Sequence, residues 1–267
     1  MIRGGAALAL AVTAAACMTP MPDTAPPGAA ASLAPTGTLR AAINLGNAVL
    51  ASKDAATGEP RGVSVALSRE LARRLGVPLE LVTYDAAGKV VDNATTGAWD
   101  IAFVAIDPKR GVDMDYTAPY VLIEGAYVVP QNSPIRTNAD VDSDGVRVVA
   151  AKGSAYDLYL SRELKHATIV HVATSQAVVE GMIAQRAEAG AAVKQQLEAS
   201  ARVTPGVRLL EGRFMVIEQA MAVPKGRPAG ARYLAAFVED MKASGFVADA
   251  LRANGIEGAA VAPPAPR

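Results

Sequence analysis

The sequence predicts an α/β fold, and three observations support this prediction. Short apolar runs typical of buried strands alternate with segments of helical spacing, as at residues 79–84, which follow the helical pattern of residues 63–75. The alternation occurs twice along the chain, over residues 38–106 and again over residues 146–201. With 267 residues, the chain is long enough for two lobes of roughly 100 residues each. Strand–helix–strand order is typical of parallel sheets with crossover helices.

The predicted elements fall into these two units. In the first unit we expect strands at 38–45, 79–84 and 100–106, helices at 63–75 and 88–97, and a long strand at 121–129. In the second unit we expect strands at 146–150, 168–172, 187–193, 207–210 and 215–223, and helices at 153–164, 175–185, 195–201, 227–243 and 246–253.

The most informative stretch follows the apolar run at 101–106. Asp107 precedes Pro108, and aspartate is a favoured N-cap while proline fits the first helical position. A helix is therefore predicted at the carboxyl end of a strand, where α/β sheets bind ligands. Arg110 would lie in its first turn, where a cation is unfavourable for the helix dipole. Either an anionic ligand or simple solvation of a surface arginine would explain it.

Composition excludes several classes of function. The 26 basic residues balance the 26 acidic residues, which argues against nonspecific nucleic-acid binding. Two histidines and one cysteine cannot build a zinc-type cluster, so we expect no metal and no cofactor. His166 and His171 flank a predicted strand and are expected to have ordinary surface or packing roles.

The amino terminus looks like a secretory signal. Arg3 precedes an apolar run at 6–16, which is too short for a membrane-spanning helix. Cys17 follows three alanines and resembles the acylated cysteine of a bacterial lipoprotein lipobox, although Ala14 stands where leucine is usual. The alternative is plain signal cleavage beside an incidental thiol. Residues 1–17 are thus assigned to the signal, and the proline- and alanine-rich residues 18–36 to a flexible tether. Residues 257–267 are expected to be disordered.

Several short motifs occur in an order and spacing typical of one family. They are Thr38-Leu39-Arg40, Gly97-Ala98-Trp99-Asp100, Asp107-Pro108-Lys109-Arg110, Asp115-Tyr116-Thr117-Ala118-Pro119-Tyr120 and Lys152-Gly153-Ser154-Ala155-Tyr156. Over residues 37–256 the chain resembles the extracellular solute-binding proteins of family 3, the polar amino-acid-binding components of ABC importers. The resemblance implies the two-lobe periplasmic-binding-protein type II fold, with two hinge strands and a ligand cleft. Lobe 1 would comprise 37–126 and 220–256, and lobe 2 would comprise 127–219.

The resemblance also implies site residues. Arg110 would hold a ligand carboxylate in a bidentate pair, which guanidinium geometry permits. The amide and hydroxyl of Ser154 would be further donors, although Ser154 could instead be a plain N-cap. Asp107 stands where the family has threonine, and as a cap it would use N–H groups otherwise free for the ligand.

The chain lacks the aspartate with which the family usually binds the ammonium group of its ligand. No acid stands after the second-lobe strand, where the sequence continues as Val193-Lys194-Gln195-Gln196. Aromatic residues after the first strand are replaced by residues 46–50, and the segment from 100 to 110 is two residues short. Glu124 or Glu218 could supply the missing negative charge, or either could be a structural carboxylate. The remaining candidate ligand-binding residues are Asn44, Asn47, Lys194 and Gln195.

The function that these observations favour is solute capture. A monomeric, lipid-anchored periplasmic protein would close on a small carboxylate, an amino acid or a related organic acid, and deliver it to the permease of an ABC importer. One alternative is an enzyme like the cyclohexadienyl dehydratases, with Glu124 or Glu218 as general acid. Another is a ligand-sensing accessory protein that signals to a separate chain.

Overall fold

A computed structural model describes residues 24–266, so the predicted signal and Cys17 lie outside the described residues. The strands are β1 (Leu39–Asn44), β2 (Ser52–Lys53), β3 (Pro60–Arg61), β4 (Leu79–Tyr84), β5 (Ile101–Ala105), β6 (Met114–Pro130), β7 (Arg147–Ala151), β8 (Thr168–Val172), β9 (Ala189–Val193), β10 (Val207–Leu209), β11 (Met215–Pro224) and β12 (Ala260–Val261). The helices are α1 (Pro27–Leu33), α2 (Val63–Leu75), α3 (Ala87–Asp92), α4 (Ala155–Glu163), α5 (Val178–Ala184), α6 (Lys194–Val203), α7 (Pro228–Ala243) and α8 (Phe246–Ala253).

One large sheet organises the molecule, with strand order β4-β1-β5-β11-β6-β9-β7-β8. At one end β1 pairs in parallel with β4 and β5, and at the other end β7 pairs in parallel with β8 and β9. Between these two parallel parts lie β6 and β11, which are long, antiparallel to each other and shared by both. This arrangement confirms the predicted α/β fold with two parallel units joined by two strands.

The central strands are buried because their sequences are apolar on both faces. All five residues of β5, and all five of β9, are buried. Strands covered on both sides lose the alternation of polar and apolar residues, and they appear as continuous apolar runs. These runs predict the strands correctly, and their carboxyl ends point toward the region between the two parallel parts.

The helix α2 has the bounds that its spacing predicts. Its apolar face is buried, and Gly76 ends it in the left-handed conformation at φ 67°. At its start, Gly62 has φ 124°, and a Cβ there would lie 2.3 Å from the carbonyl oxygen of Leu50. Glycine is therefore required at Gly62 both by its backbone angle and by the close approach of the neighbouring chain.

Two predictions about the chain ends are wrong. Residues 27–33 of the expected tether form α1, whose Leu33 is fully buried, because Pro27 starts the helix and alanines sustain it. The Ser32 hydroxyl accepts a hydrogen bond from the Gly230 amide at 3.1 Å, which fixes α1 against α7. In the expected tail, β12 pairs with β6, and Ala262 is buried.

The helix predicted at Asp107 is also wrong. The chain forms only a single 3₁₀ turn at Arg110–Val112, and β6 already begins at Met114. Asp107 Oδ1 accepts the Lys109 amide at 2.9 Å, a local turn that uses the aspartate as a short-range cap. The early start of β6 leaves no residues for a longer helix, because β6 pairs with β11 from Met114 onward.

Candidate functional site

A small cavity lies at the carboxyl ends of the parallel strands, between the two parallel parts of the sheet. Asn44, Ala105, Ala151 and Val193 are the last residues of β1, β5, β7 and β9, and all four line it. The other lining residues are Gly46, Asn47, Ala86, Ala87, Val104, Arg110, Lys152, Ser154, Ala155, Tyr156, Ser175, Ile217 and Gln219. Its volume is about 30 Å³. One water needs about 10–15 Å³ by this measure, so the cavity is nearly closed.

Arg110 is the most unusual side chain in this cavity. It is only 2% exposed, and no carboxylate in the described part of the chain forms an ion pair with it. Nη1 donates to the Ala105 carbonyl at 3.0 Å, and Nη2 donates to the Gly153 carbonyl at 2.8 Å. Nε has no partner. These carbonyls come from both parallel parts of the sheet, so the guanidinium spans the cavity.

Asp107 lies close enough to influence Arg110 but is engaged elsewhere. Its Oδ2 accepts from Arg162 Nη1 at 2.8 Å, and its Oδ1 accepts the Lys109 amide. Burial lowers the pKa of Arg110, and the neighbouring Tyr116, Asp107 and Asp157 act in the opposite direction. Asp107 does not line the cavity. The sequence predicts it as a ligand-site residue, whereas the structure places it beside Arg110 in an ion pair across the cleft.

Ser154 forms the N-cap of α4. Its Oγ accepts the Asp157 amide at 3.1 Å, and its own amide donates to the Ala151 carbonyl at 3.1 Å. Ser154 also hydrogen-bonds the Tyr156 hydroxyl, and with Ser175 it opposes the rise in the Tyr156 pKa that burial causes. The carboxylate of Asp157 is engaged as well, because it accepts the Gly153 amide at 2.7 Å and lies 2.8 Å from His171 Nε2.

Asn44 and Asn47, which were both predicted as ligand-binding residues, line the cavity. Asn44 Oδ1 accepts the Gly46 amide at 2.9 Å, which shapes the turn. Asn47 is 8% exposed, and its Oδ1 is buried without a partner. Buried polar atoms are nearly always hydrogen-bonded. Two fully buried polar atoms of the lining residues, Nε of Arg110 and Oδ1 of Asn47, nevertheless lack a hydrogen-bond partner.

Glu124, Lys194 and Gln195 do not join this group. Glu124 pairs with Lys194 Nζ at 2.9 Å and with Arg213 Nη1 at 2.7 Å, and hydrogen bonds from these two cations lower its pKa. Gln195 Nε2 donates to the Glu257 carbonyl at 3.3 Å. These side chains line a separate surface pocket, so the expectation that Glu124 supplies negative charge in the cleft is wrong. The two cations already neutralise it.

Glu218 is also outside the cavity, since it is exposed on β11 and does not line it. A dehydratase-like general acid needs a raised pKa and contact with the reacting group. Glu124 has the opposite pKa shift, and neither carboxylate lines the cavity. The catalytic roles suggested for Glu124 and Glu218 therefore have no support in this geometry.

Sequence reasoning missed four polar lining residues, which are Lys152, Tyr156, Ser175 and Gln219. Tyr156 donates its hydroxyl to Ser175 Oγ at 2.6 Å, and Gln219 is 5% exposed on β11. Gln219 could have been found, because it is a polar residue that is buried within an otherwise apolar strand. Tyr156 and Ser175 join only through the packing of α4 against the turn before α5, which no local pattern predicts.

Between residues 24 and 266, no three histidine, cysteine, aspartate or glutamate side chains cluster so that they could bind a metal ion. In the same range no helix combines the length and apolar character needed to cross a bilayer.

Solved structures with this fold were found at low sequence identity. The solute receptor for L-cysteine of Neisseria gonorrhoeae is 22% identical, with a TM-score of 0.73 over 85% of this chain and 93% of that chain. A putative binding component of an ABC transporter from Wolinella succinogenes, complexed with lysine, is 21% identical, with a TM-score of 0.70 over 81% and 95%. An ancestral amino acid-binding protein, described as a precursor of cyclohexadienyl dehydratase, is 21% identical, with a TM-score of 0.71 over 84% and 98%.

These likenesses show that the fold is the two-lobe type II periplasmic-binding-protein fold. No curated protein sequence matches the chain. A family model does match, over residues 39–253, which is most of the chain. The chain therefore belongs to the bacterial extracellular solute-binding proteins, family 3.

Proposed function

We propose that this protein binds a small carboxylate-bearing solute, an amino acid or a related organic acid, in the cavity around Arg110. The observation that carries the proposal is the buried guanidinium, which has no ion-pair partner among the described residues and an unpartnered Nε. A buried charge is costly unless it is paired. A ligand carboxylate would supply the missing charge and could accept two parallel hydrogen bonds from the guanidinium fork.

Binding requires the cavity to open, because it now has room for only a few waters. The Nη2 contact with the Gly153 carbonyl occupies a donor that a carboxylate could use. An opening movement about β6 and β11 would break this contact and admit the ligand. Reclosure would then be favoured by the contacts that the ligand makes with both parallel parts of the sheet.

Delivery to an ABC importer is the second part of the proposal. It is supported by the family, whose members are extracellular solute-binding proteins, and by fold relatives described as components of amino acid transporters. We propose that the protein acts as a monomer outside the cytoplasm, and that Cys17 carries a lipid anchor. The anchor proposal comes from the amino-terminal sequence alone.

Labelling tests the anchor. Cells that express the full chain and grow with radioactive palmitate should yield a labelled protein, and Cys17→Ser should abolish the label because the acyl acceptor is lost. Equal label in both proteins, or no label in either, would contradict acylation of Cys17.

Arg110→Ala tests the binding site. A thermal-shift screen of small carboxylates should first identify compounds that raise the melting temperature, since ligands that bind only the folded state must do so. Calorimetric titration of Arg110→Ala should then show about a 100-fold or greater loss of affinity, because a buried charge-assisted pair is worth at least ~2–3 kcal/mol when truncated.

Arg136→Ala is the matched control, because Arg136 is exposed and lies outside the cavity lining. It removes the same charge and should leave the affinity unchanged. Binding by Arg110→Ala that is as tight as that of the parent protein would defeat the proposal.

A further inference from the structure

The charges that line the cavity are of one sign. The lining includes two cations, Arg110 and the exposed Lys152, and among the described residues it includes no carboxylate. Its other polar side chains are neutral, and they come from Asn44, Asn47, Ser154, Tyr156, Ser175 and Gln219. A ligand in this cavity therefore contacts two cations and neutral dipoles, and no carboxylate of the described lining is present to pair with a positive charge.

The nearest carboxylates cannot fill that role without breaking other bonds. Asp107 is 3% exposed and is held by Arg162 and the Lys109 amide. Asp157 is 5% exposed and accepts from the Gly153 amide while it contacts His171. Rotation of either side chain into the cavity would break two of these interactions, an ion pair or histidine contact and a hydrogen bond from a backbone amide.

An amino acid would bring an ammonium group into this environment. With its carboxylate on Arg110, the ammonium on the adjacent carbon lies within a few ångströms of the guanidinium, and like charges at that distance repel. Its three N–H donors would also lose their water, and the acceptors that the cavity offers, among them Oδ1 of Asn47 and the amide oxygen of Gln219, carry no charge to compensate the ammonium. A hydroxyl group in the same place is uncharged and needs one acceptor.

We propose that the site selects 2-hydroxy acids over the corresponding 2-amino acids. This inference rests on the proposed function, because it assumes that the ligand carboxylate binds Arg110. The carboxylate accepts from the unpartnered Nε and a remaining Nη proton of Arg110, and the 2-hydroxyl donates to Oδ1 of Asn47. Both unsatisfied atoms of the cavity are then paired, and no buried cation is added.

Matched ligand pairs test the inference on the full chain. Calorimetric titrations at pH 7 should compare glycolate with glycine, L-lactate with L-alanine, L-glycerate with L-serine, L-malate with L-aspartate and 2-hydroxyisocaproate with L-leucine. Within the pair that binds, the hydroxy acid should bind about 100-fold more tightly. An amino acid that binds as tightly as its hydroxy counterpart would overturn the inference and leave the carboxylate site intact. If neither series binds, the proposed function itself fails.

A charge variant gives a second readout. Asn47→Asp places an anion where the free acceptor lies, so it should shift the preference toward the amino acid by at least tenfold. Asn132→Asp is the control, because Asn132 is exposed outside the cavity lining and the substitution adds the same charge. Should Asn47→Asp melt at a much lower temperature, Gln219→Glu introduces the charge from another wall. A preference that neither cavity variant changes would overturn the assignment.

Discussion

Arg74 and Arg110 are both buried arginines, but their partners differ. Arg74 contacts carboxylates of the fold, as a structural residue does, and Arg110 contacts none among the described residues, as expected of a residue that binds a ligand. Arg74 is 8% exposed, and its Nε donates to Glu70 at 2.7 Å while Nη1 lies 2.8 Å from Asp240. Its guanidinium also lies 5.5 Å from the centroid of the Phe237 ring. Arg110 has two carbonyl partners and no carboxylate. A buried arginine that forms ion pairs with carboxylates is explained by the fold, whereas one without a carboxylate partner calls for a ligand.

Glu70 gives a pH-dependent prediction at the residue scale. Hydrogen bonds from Arg73 and then Arg74 lower its pKa to about 2, from the ordinary 4.5, against the opposing effect of burial. A lowered pKa in the folded state stabilises the protein above about pH 4.5, and this contribution is lost as the pH falls through about 2. Glu70→Gln should therefore lower the stability at pH 7 by about 1 kcal/mol, a value reduced for screening by water.

The measurement is the melting temperature from pH 2 to pH 7 for the parent and Glu70→Gln. Their difference should shrink below pH 4.5 and disappear near pH 2. Glu163→Gln is the control, because Glu163 is exposed at the end of α4, and it should melt like the parent throughout. A difference of constant size across the whole pH range would contradict the role of the Glu70 charge.

At the scale of elements, strong periodic patterns were enough for prediction. The spacing of apolar residues predicts α2 at its observed bounds, and the continuous apolar runs predict β5 and β9. The elements at the two ends were not predictable in this way. Ala-rich α1 and two-residue β12 have weak local signals, and they form because α7 and β6 offer surfaces that bury them.

The residues of the candidate site likewise divide into those that a local sequence pattern predicts and those whose position depends on distant contacts. Arg110, Asn44 and Asn47 could be placed near each other because they follow the carboxyl ends of strands that share a sheet edge. Glu124 could not be placed, because its position depends on Arg213, which is distant in sequence and pairs with it only in the folded protein. Charge pairing between distant segments leaves no local pattern in a single sequence.

At the scale of the whole molecule, side-chain contacts join the two parallel parts of the sheet across the cleft. They include the bond from Arg110 to the Gly153 carbonyl, the bond from Gln176 Nε2 to the Leu45 carbonyl and the ion pair of Asp107 with Arg162. Arg162 belongs to α4, beyond β7, while Asp107 follows β5. The two segments are connected through the shared strands β6 and β11, so we expect the ion pair to favour the closed arrangement.

Arg162→Ala should therefore favour an open protein. Arg162 is 45% exposed, so the ion pair is worth roughly 1 kcal/mol, and its loss should weaken ligand affinity about fivefold. Small-angle X-ray scattering without ligand should show a larger radius of gyration for Arg162→Ala than for the parent. Arg202→Ala, which changes a charge outside the Arg110 cavity, should match the parent. An unchanged radius in Arg162→Ala would show that this pair does not hold the cleft closed.

The pairing of β6 on its outer side has a mechanical consequence. On that side Val121 and Leu122 of β6 pair with β12, and the pairing of β6 with β9 starts only at Gly125. Residues 123–124 therefore have no partner strand on that side in the described part of the chain. A strand that is hydrogen-bonded to a neighbouring strand along its whole length resists bending, and it resists bending less where this pairing is interrupted. The hinge of any rotation between the two parallel parts is therefore expected at residues 123–124, where the ion pairs of Glu124 with Lys194 and Arg213 would oppose the rotation.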